Sequence, residues 1–288
     1  SILGHMRSGT TYLHYLMSKD KQFGYCSVYN AILPHVFLIG GKIFKRLIAS
    51  SLDPTRPQDN VEISIDSPKE EEFALANMSK TSFMFGFYFP KRAQRNFEES
   101  VVFKNAEKER RHWQRHFKFF LQKLSFVNQG KRLLLKSPAN TGRVKEILEL
   151  YPDAKFIHIH RDPLVVYQST LRLYEKIVPM TCFHQADAEE MKEFILQSYE
   201  SMLEKYFIDR DLLRPDQLIE VRYEDLVSNP LGTLEGIYSK LQIENFSTSK
   251  DFMRIEADRT QNYVKNKYAP IADSELELLK RRWAATAS

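Results

Sequence analysis

The sequence predicts an α/β fold with a central parallel β-sheet flanked by helices, and three observations lead there. Short apolar runs alternate with longer stretches of helical periodicity. Helical crossovers between such short runs suit parallel pairing, with both sheet faces covered. No Pro/Gly/Ser-rich linker, internal repeat or low-complexity tract divides the 288 residues, so a single domain over 1–288 is expected.

The elements follow in order. Residues 1–3 read as a strand that enters a turn bounded by Gly4 and Gly9, and 10–18 read as the helix that leaves it. A weaker strand signal covers 23–26. Residues 30–65 form an insertion expected to shape a pocket or a lid. Its apolar stretch at 31–38 runs loosely on to Leu52, is interrupted by Lys42, Lys45 and Arg46, and falls short of a membrane span. A buried or lid helix is expected there, with an interfacial helix as the alternative. Helices are expected over 106–126, 141–150, 164–174, 188–207, 231–241 and 274–283, and strands over 132–135, 155–160 and 217–222. The alternating signs of Lys108-Glu109-Arg110-Arg111 suit a solvated helix face.

Two motifs carry chemistry. In Gly4-His5-Met6-Arg7-Ser8-Gly9-Thr10-Thr11, a strand passes through a tight loop into a helix. Such a loop aims backbone N–H groups at one point beside the positive end of a helix dipole, where a phosphate fits. The glycines have Walker A spacing, but Thr10 stands where the lysine belongs and the cation, Arg7, sits inside the loop. A plain helix N-cap is the competing reading. In the second motif, Arg161 ends the strand at 155–160, Pro163 starts a helix, and Ser169 follows Arg161 by eight residues. Arginine supplies a permanently charged fork and serine a short neutral donor. His160-Arg161-Asp162 also spells a kinase triplet, but Tyr167 replaces the required asparagine. His158 and His160 share one strand face, without a third residue at metal-ligand spacing.

Together these motifs resemble those of the sulfotransferases that use 3′-phosphoadenosine 5′-phosphosulfate (PAPS), in the bacterial-type and Golgi-like branch. The resemblance implies a P-loop NTPase-like fold. It implies that Arg7, Ser8, Gly9, Thr10 and Thr11 hold the 5′-phosphate and sulfuryl group, and that Arg161 and Ser169 hold the 3′-phosphate. It further places Lys136, after the strand at 132–135, near the bridging oxygen, and Tyr223 on the adenine, although Tyr223 also suits ordinary core packing. Lys265 or Lys267 would come from a late basic loop over the 3′-phosphate. Pro138 stands where a cytosolic branch has its catalytic histidine, so another base is required.

Ser67-Pro68-Lys69-Glu70-Glu71-Glu72-Phe73-Ala74-Leu75 offers that base, since some bacterial-type members carry a similar segment. On a helix, Ala74, Leu75 and Met78 fall three, four and seven residues after Glu71, setting Glu71 on an apolar stripe. A carboxylate facing a dry cleft becomes a better base near neutral pH. Glu71 is the first candidate and Glu70 the second; helix capping alone also explains the acids.

The implied reaction is in-line sulfuryl transfer to a hydroxyl of a small acceptor, with a glutamate base, stabilisation by Lys136 and Arg7, and no metal. The aromatic run at 83–90 suits either core or a pocket for an apolar alcohol, steroid or phenol, favoured over carbohydrate. A P-loop nucleotide kinase and a non-catalytic nucleotide-binding module are the rivals. The kinase needs a loop lysine and a magnesium acid, and neither is placed for it. Net charge +5, from 42 basic and 37 acidic residues, suits an anionic cofactor better than a nucleic acid. Two cysteines exclude a disulfide scaffold and favour a reducing, cytoplasmic setting. The chain starts inside its first strand, so a preceding targeting or anchoring segment is an open expectation.

Overall fold

A computed structural model describes residues 1–52, 63–184, 186–260, 271 and 273–283. The five expected strands form: β1 (Ile2–Leu3), β2 (Phe23–Tyr25), β3 (Arg132–Leu134), β4 (Phe156–His160) and β5 (Leu218–Arg222). All pairings are parallel. β1 joins β4 with Leu3 opposite His158, β4 joins β5 with His160 opposite Arg222, and β2 joins β3 with Tyr25 opposite Leu134. A bridge between Ile2 and Lys136, with the Ile2 N–H donating to the Leu135 carbonyl at 2.8 Å, ties the pair to the trio. The spatial order is therefore β2-β3-β1-β4-β5.

Adjacent strand residues point to opposite faces, so a two-residue strand buried on both sides needs two apolar residues. Ile2 packs with Leu13, Leu16, Ile157, Ile159, Leu234 and Ile237 on one face. Leu3 packs with Phe117, Phe120, Leu124, Phe156 and Tyr206 on the other. The helix Glu107–Val127 supplies the second face through Trp113, Phe117, Phe120, Leu121 and Leu124, a stripe at helical spacing. Truncating any of these to alanine is expected to cost about 2–5 kcal/mol. A third cluster joins Phe83, Phe87, Phe97, Tyr174 and Phe194, so part of the aromatic run at 83–90 is core.

Helix boundaries differ from expectation for local reasons. Residues 138–143 form a 3₁₀ segment before the helix Val144–Leu150, with Gly142, a poor helix former, inside the expected first turn. The helix Pro163–Thr181 continues well past Tyr174, through Pro179. A further helix, Phe246–Thr260, carries no strong apolar stripe and lies outside the sequence expectation. In the insertion, a helix forms at Gly41–Ser51, but Ile43, Phe44 and Leu47 are exposed, so it is not a buried helix. Both cysteines are free. Among the described residues no helix is long and apolar enough to cross a membrane.

Candidate functional site

β1 and β4 are neighbours whose onward connections run in opposite directions, to β2 on one side and to β5 on the other. In open parallel sheets the crevice at such a switch point, outside the carboxyl ends of the strands, is where ligands bind. The loop after β1 and the turn after β4 both open into it.

The loop after β1 has the geometry of an anion cradle. Gly4 and Gly9 have φ of 135° and 102°, and Arg7 itself is left-handed at 73°. The Ser8 N–H and Oγ both donate to the His5 carbonyl, at 3.2 and 2.7 Å, which closes the turn. The helix Thr10–Met17 starts at Gly9 without a side-chain cap, and its first backbone bond runs from the Leu13 N–H to the Gly9 carbonyl. The N–H groups of the preceding turn therefore have no intrahelical acceptor, an arrangement that suits an anion. The Gly4 N–H donates to Thr141 Oγ1 at 2.8 Å, so the segment after β3 steadies the loop. Thr10 and Ser8 are buried in it.

The structure brings the loop after β1 and the segment after β4 together. Arg7 Nε donates to Ser169 Oγ at 2.9 Å. Asp162 caps the Ser169 helix by accepting from the N–H groups of Leu164 and Val165 at 2.8 and 3.2 Å, with Pro163 in the first turn. Asp162 thereby fixes the helix that aims Ser169. Arg161 stacks over the Tyr223 ring at 4.3 Å, and that ring lies against Gly9, where a Cβ would meet it at 2.3 Å. Burial raises the Tyr223 hydroxyl above its ordinary pKa, with nearby Arg161 opposing. Lys265 and Lys267 lie outside the described residues.

Lys136 leaves β3 with its side chain only 3 % exposed, and Nζ contacts both Glu70 Oε1 and, at 3.4 Å, Thr11 Oγ1. The next two glutamates diverge from Glu70. Glu71 is wholly buried, accepts from the Lys136 N–H at 3.1 Å and from Asn140 Nδ2 at 2.6 Å, and is pushed above the usual carboxylate range by desolvation. Glu72 is also wholly buried and pairs with Arg143 Nη1 at 2.6 Å, while Ser82 Oγ donates to it at 2.6 Å. Glu70, whose side chain is 21 % exposed, keeps a route to solvent.

Arg143 and Asn140 carried no sequence signal as partners of the acids. Each lies some seventy residues from its glutamate, and a long-range buried pair has no periodicity. His158 stacks on Tyr206 at 4.1 Å and faces Glu220 at 3.5 Å, a packed histidine.

Comparison with known proteins agrees with this geometry. Residues 1–248 match the Sulfotransferase family. Two relatives, both named omega-hydroxy-beta-dihydromenaquinone-9 sulfotransferase Stf3, from Mycobacterium bovis and Mycobacterium tuberculosis, are each 31 % identical over 267 residues, covering 93 % of this chain and 68 % of theirs. Among solved structures, sulfotransferase STF9 from Mycobacterium avium superposes with a TM-score of 0.75 at 18 % identity, over 99 % of this chain and 74 % of its own. Sulfotransferase STF1 from Mycobacterium tuberculosis H37Rv gives 0.73 at 20 % identity, over 99 % and 75 %. The match over residues 1–248 and the 31 % identity to the Stf3 relatives show that the chain belongs to the sulfotransferase family and is a transferase enzyme.

Proposed function

We propose that this enzyme takes the sulfuryl group of PAPS and transfers it to the hydroxyl of a small apolar acceptor. The observation that carries this is the Arg7–Ser169 hydrogen bond, which sets the loop after β1 and the helix after β4 around one crevice. A nucleotide with phosphates at both ends fits such a crevice. An ordinary nucleoside triphosphate would want a lysine where Thr10 stands.

When bound, PAPS supplies an activated sulfuryl group on a phosphate leaving group. Arg7, Lys136 and the N–H groups before Leu13 provide positive charge where the leaving phosphate gains negative charge. We assign the proton-accepting role to Glu70 ahead of Glu71. Glu70 combines partial exposure with a place on the Lys136 ammonium, whereas Glu71 is sealed and bonded by Lys136 N–H and Asn140. Arg161 and Tyr223 form a stacked pair suited to the nucleoside end, with Ser169 as its short donor. For the acceptor, the Stf3 relatives are named for a hydroxylated dihydromenaquinone, and Tyr88 and Phe89 of this chain remain exposed beside Phe183. The relatives' named substrate supports an apolar alcohol over a carbohydrate, while the exposed rings suit either.

The test is transfer of labelled sulfate from PAPS to a panel of apolar alcohols, phenols and sugars, run with and without excess chelator. Sulfation of an apolar hydroxyl compound that persists in chelator is expected. Phosphoryl transfer from ATP that requires Mg²⁺ would replace this reading with the kinase one. Tight binding of adenosine 3′,5′-bisphosphate without any turnover would replace it with the binding module.

A further inference from the structure

The helix Gly41–Ser51 presents an outward apolar face that the reaction does not use. Ile39, Ile43, Phe44 and Leu47 are 85, 75, 54 and 61 % exposed. Residues 43, 44 and 47 share one helical side, because three- and four-residue steps return to the same face. Ile48, on the flank of that side, turns inward and packs in the cluster that holds Tyr29, Phe37 and Leu75. The helix is thus held to the protein by one edge. Lys45 adds a second tether through its ion pair with Asp66, four residues before Glu70.

Charge decides what this face suits. Between Asp20 and Asp53 the sequence contains no acidic residue; Lys45 is compensated by Asp66, and Arg46 stands exposed beside the apolar face. Exposed large apolar groups beside an exposed arginine, in a stretch of sequence without acids, match a surface that is apolar inside and negative outside. A protein partner with an apolar patch would satisfy Ile43, Phe44 and Leu47 but would leave the basic bias without a purpose. An anionic bilayer satisfies both, since apolar side chains enter the acyl boundary and cations meet the headgroups.

We propose that the Ile39–Leu47 surface docks the enzyme on an anionic lipid bilayer. The mode is peripheral, with the helix lying in the interface plane. The Lys45–Asp66 pair places the docked helix beside the stretch of chain that leads into Glu70, so the crevice rim approaches the lipid. Docking needs neither donor nor acceptor, and it stands or falls apart from the sulfation reading.

The test is co-sedimentation of the full chain with phosphatidylcholine vesicles, with or without about 30 mol% phosphatidylglycerol. Partition into the anionic vesicles is expected to exceed that into the neutral ones by about tenfold and to fall as salt rises to ~0.5 M. The triple variant Ile43→Ser/Phe44→Ser/Leu47→Ser should lose at least about tenfold of that partition, and Arg46→Gln, which leaves the Lys45–Asp66 tether in place, should reduce the preference for anionic lipid. Removing exposed apolar groups leaves the core intact, so the melting transition is expected to hold. Should the triple variant not melt cooperatively, Phe44→Trp decides, through a blue shift of its emission on adding anionic vesicles. Wild-type chain that stays in the supernatant, a triple variant that sediments like wild type, or unshifted emission from Phe44→Trp would overturn the proposal. So would a lipid-free dimer that the triple variant dissolves, which would give the face to a second copy.

Discussion

Arg7 and Ser169 stand 162 residues apart in sequence and 2.9 Å apart in space. Their hydrogen bond joins the loop after β1 to the helix after β4. If that junction grips a nucleotide phosphate, Arg7→Ala should weaken binding of adenosine 3′,5′-bisphosphate by roughly 10- to 100-fold, as for a lost hydrogen bond to a charged group. Arg7→Lys should recover little of it, because a point charge does not replace a planar fork. Ser169→Ala should cost about tenfold or less. Calorimetric titration measures all three, and unchanged affinity in Arg7→Ala would remove the loop from the site.

Gly9 offers a steric test. A Cβ there would lie 2.3 Å from Tyr223 Cδ2, on a backbone with φ of 102°. Gly9→Ala should therefore destabilise the fold by about 3 kcal/mol and displace the ring that Arg161 stacks on. Gly130 also has positive φ, at 72°, but a Cβ there meets nothing within 4 Å. Gly130→Ala should cost only about 1 kcal/mol and leave nucleotide binding unchanged. Urea titration of the pair separates crowding from backbone strain.

The adjacent acids should separate in kinetics. Glu70→Gln is expected to lower kcat by about 10²-fold or more while nucleotide affinity holds or tightens, since Lys136 loses a competing anion. Glu71→Gln replaces a group wedged between the Lys136 N–H and Asn140, so its effect should fall on thermal stability. A folded Glu71→Gln without turnover, beside an active Glu70→Gln, would reverse the assignment.

Glu72 and Arg143 are both wholly buried and joined at 2.6 Å. Arg143 Nε also donates to the Ser100 carbonyl at 2.8 Å, and its guanidinium stacks over Trp113 at 4.7 Å. Arg143→Met alone should cost about 3–5 kcal/mol, because it strands a buried carboxylate. Adding Glu72→Met should recover a good part of that loss. A double-mutant cycle by chemical denaturation reads the coupling.

Acid should weaken the fold through buried histidines. Desolvation lowers His5 from 6.5 to about 4, with the Met6 carbonyl opposing, and lowers His14 to about 3. In the unfolded chain both take up protons near 6.5, so that state binds more protons as the pH falls from about 6.5 toward 4. Their neutral burial stabilises fully above 6.5 and progressively less below it. Glu71, raised by burial, acts in the opposite direction. The melting temperature should drop between pH 7 and 5, and His14→Phe should flatten that slope. A slope unchanged by His14→Phe would exclude His14 as a source.

The strands and loops were legible because their signals are local. Ile2 and Leu3 before Gly4, and the alternation ending at Arg161, mark strand ends within a few residues of themselves. Order within the sheet was not legible, since parallel neighbours are joined through long crossovers that carry no pairing code. The three glutamates show the same limit. Helical spacing put Glu71 on an apolar face, which it occupies, but only packing reveals that Glu72 is equally enclosed and that Glu70 meets Lys136. The Gly41–Ser51 helix was visible as apolar with interrupting cations, whereas the side it exposes depends on where Ile48 anchors.

Main-chain pairing gives the crevice a fixed length. Lys136, Gly4 and Arg161 leave the ends of β3, β1 and β4, three consecutive neighbours, so about two interstrand steps of ~4.8 Å separate the outer pair. That distance belongs to the peptide backbone and cannot be edited by exchanging side chains. Loop substitutions can change how tightly each end grips, but the gauge itself persists. On the proposed reading, a molecule with one anionic terminus, however good its base, would leave half of that gauge unread.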